Sequence, residues 1–372
     1  MDMKKSVVER YSQGAEQVQA ALCCPVDYDA SLLEMLPNEV IEKDYGCGDP
    51  SRYVEAGDVV LDLGSGSGKI CYMAAQLMGD SGQVIGVDMN DEMLALAKKY
   101  QPEMAEKLGN DRVRFVKGQI QDLALDLTKV DAYLMANPVQ NTKGLDQLQQ
   151  WQKKLVQESP LIADNSVDLV LSNCVLNLVN DADKKQLVEE IFRVLKPGGR
   201  IAMSDIVADE AIPDHLKADP ELWSGCISGS FVEDEFLESF KQAGFLAVKL
   251  DKWDEQPWQV VEGIEFRSVT MTAIKGEATA CIDKGHAVIY KGPYAETKDD
   301  EGHVYYRGKR MAVCERSYHL LTEGPYAEDF IGISPPAGIE EKPWCAAAGT
   351  LRPASETKSA EYTNAYKPSS CC

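Results

Sequence analysis

A short apolar run at residues 59–63 ends in Gly64-Ser65-Gly66-Ser67-Gly68 and passes directly into a helical pattern at 71–77. Small residues at such a junction allow a tight turn and let backbone approach a ligand closely. A second apolar run follows at 84–88, then a helical pattern at 93–100. Further strand patterns stand at 113–116, 167–172 and 200–206. A helical pattern at 184–195 is stopped by Lys196-Pro197-Gly198-Gly199. Strands alternating with helices predict a mostly parallel sheet with helices on both faces. The expected fold class is therefore α/β, a doubly wound Rossmann-like domain with its chemistry at the strand ends.

Around this domain, expected to span 57–250, three further segments are predicted. Residues 1–56 form an N-terminal arm, with a helix over 6–21 broken at Cys23-Cys24-Pro25. Ser31-Leu32-Leu33-Glu34 reads as a capping box, and Tyr45-Gly46-Cys47-Gly48-Asp49-Pro50 as a loop. Residues 123–164 are a polar insertion with an exposed helix near 147–154. Residues 251–333 read as a smaller β-rich C-terminal region, with a turn at Asp299-Asp300-Glu301-Gly302. Gly-Pro-Tyr-Ala-Glu recurs at 292–296 and 324–328, too short a match for a repeat fold. Residues 334–372, rich in Pro, Ala, Ser, Thr and Lys, are expected to be a disordered tail carrying Cys345, Cys371 and Cys372.

Composition narrows the function. A formal charge of −22 repels phosphate backbones and argues against nucleic acid as a partner. No apolar run reaches the roughly 18 residues that a membrane span needs. The polar start, without an apolar signal core, leads us to expect a cytoplasmic protein. Eleven scattered cysteines suit catalysis, soft-metal binding or redox work better than a disulfide framework. Cys71, Cys281 and Cys314 read as buried small hydrophobes.

The glycine loop follows a strand and opens a helix, and Asp88 stands at the end of the next strand, placed to accept hydrogen bonds from ribose hydroxyls. The spacing here is G-x-G-x-G preceded by Asp62, not the dinucleotide fingerprint, and no G-K-[ST] phosphate loop is present. The variant resembles the first motif of the class I S-adenosylmethionine methyltransferases. That resemblance implies Asp62, Gly64, Gly66, Gly68, Asp88 and Met89 as cofactor residues, with Ile120 and Gln121, after the third strand, bordering the adenine.

Cys174 ends the fourth strand in Ser172-Asn173-Cys174-Val175, and Cys226 lies in Leu222-Trp223-Ser224-Gly225-Cys226. Thiols at such a position suit a soft, sulfur-seeking substrate. Together with Tyr45-Gly46-Cys47-Gly48, Leu195-Lys196-Pro197-Gly198-Gly199, Ser204-Asp205-Ile206 and the run from Glu262 to Thr270, these motifs closely resemble the arsenite methyltransferases over about residues 20–330. The resemblance implies Cys174 and Cys226 as arsenic ligands and Cys47 as a third thiol for ligation or redox. Cys23 and Cys24 both stand where the family carries a further thiol, and either is expected to pair with Cys47. Tyr45 and Asn173 are expected at the methionine end of the cofactor.

The implied activity is methyl transfer from S-adenosylmethionine to trivalent arsenic presented as a thiol conjugate. Glutathione or thioredoxin is the implied external reductant. No His or Lys stands beside the Ser172–Asn177 motif, which disfavours a methyltransferase of an organic acceptor needing a base. The glycine loop and Asp88 disfavour a non-catalytic metalloid-binding protein.

Overall fold

The computed structural model describes residues 3–19, 22, 26–277, 279–335, 338–344 and 346–358. The chain divides into two compact units after Gly276.

The first unit opens with helix α1 (Met3–Glu16) and two short helices, α2 (Ala30–Leu33) and α3 (Asn38–Glu42). Asp29, rather than Ser31, caps α2, accepting the Ser31 N–H at 2.9 Å. Then come β1 (Val59–Leu63), α4 (Lys69–Leu77), β2 (Gln83–Asp88), α5 (Asp91–Leu108) and β3 (Val113–Lys117). The polar insertion folds as α6 (Leu127–Ala136) and α7 (Thr142–Glu158). Beyond it lie β4 (Val167–Asn173), α8 (Asp181–Val194), β5 (Leu195–Ala208), α9 (Asp214–Lys217) and α10 (Pro220–Ser224). The unit ends with β6 (Phe231–Val232), α11 (Glu233–Gln242), β7 (Phe245–Trp253), β8 (Gln259–Val261) and β9 (Ile264–Lys275).

The main path of the sheet runs β3-β2-β1-β4-β5-β9-β7. The strands from β3 to β5 are parallel, and β9 is antiparallel to both of its neighbours. The strand order reverses between β1 and β4, so their C-terminal ends border a crevice, where this topology binds ligands. Side chains alternate between two cores. Leu61, Leu63, Ile85 and Val87 join α8 and α11 residues such as Ile191 and Phe240 on one face. Val60 and Val84 join α4 and α5 residues such as Tyr72 and Leu94 on the other. Burial on both faces is what near-continuous apolar strands require.

The unit boundary falls at 276, not at the expected 250. The run through 275 is not a separate β-rich region, because β9 pairs with β5 from Arg200↔Ile274 to Ala208↔Phe266. Lys275 closes this arrangement. Its buried ammonium donates to Asn165 Oδ1 (2.8 Å), Phe192 O (2.7 Å) and Leu195 O (2.8 Å), capping the end of α8.

The second unit contains β10 (Ile282–Asp283), β11 (Ala287–Tyr290), β12 (Glu296–Lys298), β13 (Val304–Tyr306), β14 (Arg310–Ala312), α12 (Glu315–Thr322), β15 (Phe330–Ile333) and β16 (Lys342–Pro343). The expected turn at 299–302 joins β12 to β13. Strand β11 lies between β14 and β15 over a small core of Val288, Tyr290, Tyr305, Met311 and Phe330. Part of the expected disordered tail is folded. Strand β16 pairs with β10, and Arg352 donates to His286 O (3.0 Å) and Asp283 Oδ1 (2.7 Å). Cys345, Cys371 and Cys372 lie outside the described residues.

Replacing Lys275 with Met strands two backbone carbonyls and an amide oxygen. Lys275→Met is expected to lower unfolding stability by about 2–3 kcal/mol, read as a lower urea midpoint at unchanged slope. An unchanged midpoint refutes the capping role.

Candidate active site

The glycine loop is built by backbone geometry. Gly64 and Ser65 N–H groups both donate to Val87 O, at 2.8 and 3.0 Å, and the Gly66 N–H donates to Asp88 Oδ2 at 2.9 Å. The loop glycines adopt left-handed φ values of 69°, 50° and 86°. A Cβ on Gly64 would lie 2.5 Å from the Val175 side chain. Asp88 Oδ1 also accepts the Asn90 N–H at 2.8 Å. The carboxylate also accepts the Met89 N–H, which leaves one of its four lone-pair positions for a ligand hydroxyl.

A cavity opens over this loop. Of the expected cofactor residues, Tyr45, Asp62, Gly64, Gly66, Asp88, Met89, Ile120, Gln121 and Asn173 line it. Gly68 does not. It precedes α4, and a Cβ there would meet the Phe115 ring at 2.8 Å, so its smallness serves packing.

Three carboxylates border the cavity: Asp44, Asp62 and Asp88. Burial pushes Asp62 up to about 7, against the Cys71 thiol that donates to it at 3.1 Å, and the charges of Asp44 and Asp88 push the same way. Burial also raises Asp88. Lys69 offsets part of this charge, pairing with Asp44 at 2.5 Å. Lys4 and Lys43 also line the cavity, but no cation acts on Asp62 or Asp88; two buried carboxyls within apolar walls suit a ligand carrying positive charge, a nucleoside and hydroxyls. S-adenosylmethionine, a sulfonium with an ammonium group, fits that description.

The sulfur site adjoins this cavity. Asn173, the last residue of β4, turns its amide onto the Cys47 loop. Its Oδ1 accepts from Cys47 N (2.9 Å) and Gly48 N (3.0 Å); its Nδ2 donates to Gly48 O (2.8 Å) and Tyr28 Oη (3.3 Å). Ser268 Oγ donates to Cys47 O at 2.7 Å. Cys174 follows at φ 59°, its N–H on Ser204 O at 2.8 Å. Cys47 and Cys174 are joined as a disulfide, with 5.8 Å between Cα atoms.

Cys226, just after α10, sits at φ 61°. Its Sγ lies 3.2 Å from Cys174 O and 3.7 Å from Tyr11 Oη. The three cysteines are buried among Ile206, Ile212, Leu216 and Phe266. Cys174 also lines the cofactor cavity, so the two sites meet at its side chain.

Cys23 and Cys24 lie outside the described residues. Cys47 is paired with Cys174 here, not with either of them. Asn173 has all four hydrogen-bonding positions engaged within the protein. The Tyr45 hydroxyl donates to Gly14 O (3.0 Å) and accepts the Gln19 N–H (3.1 Å), fastening the end of α1.

Two features escaped the sequence reading. Val7, Val8 and Tyr11 of α1 wall the cofactor cavity, and only the spacing of Val7 and Tyr11 hinted at an inward face. Asp205 brings a carboxylate oxygen within 4.8 Å of both Cys47 and Cys174 sulfurs. Burial pushes it up to about 7, although the backbone N–H groups of Ile206 (2.8 Å) and Leu176 (2.9 Å) hold it. It fixes the turn after Cys174.

Residues 54–150 and 142–244 match the family model of a methyltransferase domain, and 277–362 match a domain of unknown function (DUF8838). The arsenite methyltransferase of Aquipseudomonas alcaligenes is 32% identical, over 88% of this chain and 90% of that protein. The mouse arsenite methyltransferase is 29% identical, over 82% and 74%. The solved structure of an arsenic(III) S-adenosylmethionine methyltransferase from Chlamydomonas reinhardtii superimposes with a TM-score of 0.57 at 28% identity, covering 84% of this chain and 97% of that one. A parallel sheet with a glycine loop at its reversal point, thiols at the neighbouring strand end and these likenesses along most of the chain place it in the arsenite methyltransferase family.

Proposed function

We infer that this chain transfers methyl groups from S-adenosylmethionine to trivalent arsenic held by Cys47, Cys174 and Cys226, giving mono- and dimethylated arsenicals. The observation that carries this reading is one buried cluster that holds Cys47, Cys174 and Cys226, with Cys174 also lining the cavity over the glycine loop. Trivalent arsenic prefers thiolates to oxygen or nitrogen donors. When bound, S-adenosylmethionine supplies a sulfonium methyl group, which arsenic takes through its lone pair, rising from the trivalent to the pentavalent state.

The protein's part is placement. Asn173 fixes the Cys47 loop against Cys174, Tyr11 and the Cys174 carbonyl orient the Cys226 sulfur, and the glycine loop with Asp88 receives the nucleoside. Such placement is worth on the order of 7–11 kcal/mol of a barrier. No general base is required. The buried Asp205 accepts backbone N–H groups on both oxygens, so it serves the turn rather than an acceptor hydroxyl.

Each methylation leaves arsenic two electrons short of the trivalent state. Two thiolate ligands leaving together as a disulfide return those electrons, and the methylarsenic left on the remaining sulfur takes a hydroxide from water, releasing a proton, so that trivalent arsenic again carries three substituents. The Cys47–Cys174 bond supports this step, since it joins two of the three proposed ligands. Exchange through Cys23 or Cys24 then passes the disulfide outward, where thioredoxin or glutathione reduces it. Among the described residues no helix is long and apolar enough to cross a membrane, and a cytosolic thiol pool is the setting this cycle needs.

Changing Cys174 to Ser is expected to abolish methylation of arsenite while S-adenosylmethionine binding stays within about threefold of wild type. Product speciation and calorimetry check it, and retained turnover sinks the ligand assignment. A second expectation concerns pH. Burial pushes the Asp62 carboxyl up to about 7, and a cationic ligand favours its ionised form. Affinity for S-adenosylmethionine is therefore expected to fall as pH drops from about 8 to about 6, by up to about tenfold. Asp62→Asn should flatten that profile; a flat wild-type profile contradicts the assignment.

A further inference from the structure

The described residues hold a second pair of neighbouring thiols, inside the C-terminal unit and outside the site above. Cys281 stands just before β10, and Cys314 caps α12. The Trp344 N–H donates to Cys281 O at 2.9 Å, continuing the β10–β16 pairing. Lys284 Nζ lies 2.8 Å from Glu315 Oε1, drawing the end of β10 to the first turn of α12. The two thiols lie close enough for Cys314 to perturb the titration of Cys281.

Cys314 is buried, and its Sγ accepts the Ser317 N–H at 3.4 Å. Cys281 is half-buried, so the pair is reachable from one side. Cys314 also lines a small hollow with His303, Tyr305, Ser317 and Trp344. Burial, with the Cys314 thiol beside it, pushes the Cys281 thiol up. It is protonated at neutral pH, which makes it a poor nucleophile toward disulfides and oxidants. Condensation with a thiophilic hydroxide remains open to it.

We propose that Cys281 and Cys314 form a second arsenical site, which takes a trivalent arsenical bearing one organic substituent, such as monomethylarsonous acid. Two S–H and two As–OH bonds break, two As–S bonds form and two waters leave. Arsenic stays trivalent throughout, so no oxidant or reductant is needed. Two thiols match the two exchangeable hydroxyls of this ligand, whereas inorganic arsenite carries three. The choice of ligand rests on the arsenite-methylating activity inferred above, because the first round of that reaction makes the monomethyl species and the second consumes it. A dithiol on the same chain retains it between rounds.

The test uses the full chain, reduced with a phosphine, in a Cys174→Ser/Cys226→Ser background. Monomethylarsonous acid is added, excess is removed by gel filtration, and arsenic per chain is measured by elemental mass spectrometry. Adding Cys281→Ser is expected to lower the count by about one arsenic per chain, Cys314→Ser to do the same, and both together to do no more. Ser is itself a good cap, so Cys314→Ser keeps the α12 N-terminus. In the wild-type chain, the arsenical should slow maleimide labelling of Cys281 by about tenfold, a readout that needs no substitution. An unchanged count in Cys281→Ser, or unchanged labelling, overturns the proposal. Arsenite turnover by the wild-type chain is scored separately, so loss of the activity reading and loss of this site are distinguishable.

Discussion

One side-chain amide ties the Cys47 loop to the end of β4. Cys47 and Cys174 are 127 residues apart, and nothing local brings their sulfurs into reach. Asn173 does it, because its two acceptor positions and two donor positions are all engaged, most of them on the backbone of Cys47 and Gly48. The cost of leaving such an amide unpaired when buried is about 1–3 kcal/mol, so the loop is fastened rather than merely near. Gly46 follows from the same contact, since a Cβ there would lie 2.0 Å from the Asn173 Nδ2 atom. The pleat of β4 completes the device: one residue grips the loop, and the next turns out of the strand at φ 59° to present sulfur.

Both Cys174 and Cys226 occupy left-handed backbone conformations. For a residue with a Cβ this costs roughly 1–2 kcal/mol each. Such conformations persist only where the surroundings over-determine them, and they gather at functional sites. Here Ser204 O and Asp205 fix one turn, while Asn177 Nδ2 reaches Ile206 O and Ser230 Oγ, at 2.7 and 3.2 Å, to fix the ground beneath the other. Strain is thus held by hydrogen bonds to residues that do no chemistry themselves.

Much of this was legible beforehand because it is local. The period of the apolar runs dictates strands buried on both faces, and the Gly64–Gly68 spacing dictates a turn that backbone amides can close. What was not legible is long-range. The run at 264–275 reads as the start of a separate β-rich region, yet it pairs with β5 and completes the large sheet. Gly68 reads as a cofactor contact, and only the fold reveals that the Phe115 ring beside it also leaves no room for a Cβ. Tyr11 belongs to a polar helix whose inward face depends on what lies across from it. Asp205 was visible as part of a motif, but its nearness to two sulfurs depends on the register of β4 against β5.

Charge explains why the sulfur pocket can be apolar. Three thiolates beside a carboxylate in low dielectric repel one another strongly, and burial alone disfavours each charge. In the proposed complex, trivalent arsenic bound by three thiolates is neutral overall, so the walls formed by Ile206, Ile212, Leu216 and Phe266 would accept it far better than three free anions. In the neighbouring cavity burial raises Asp62 and Asp88, with no cation acting on either. Helix α1 spans both: Val7 and Val8 wall the cationic ligand's cavity, while the Tyr11 hydroxyl meets the Cys226 sulfur. Arg10 binds Glu221 O and Ser224 Oγ, at 2.8 and 3.0 Å, in the segment leading to that cysteine. Helix α1 thus touches both the cavity over the glycine loop and the segment that carries Cys226.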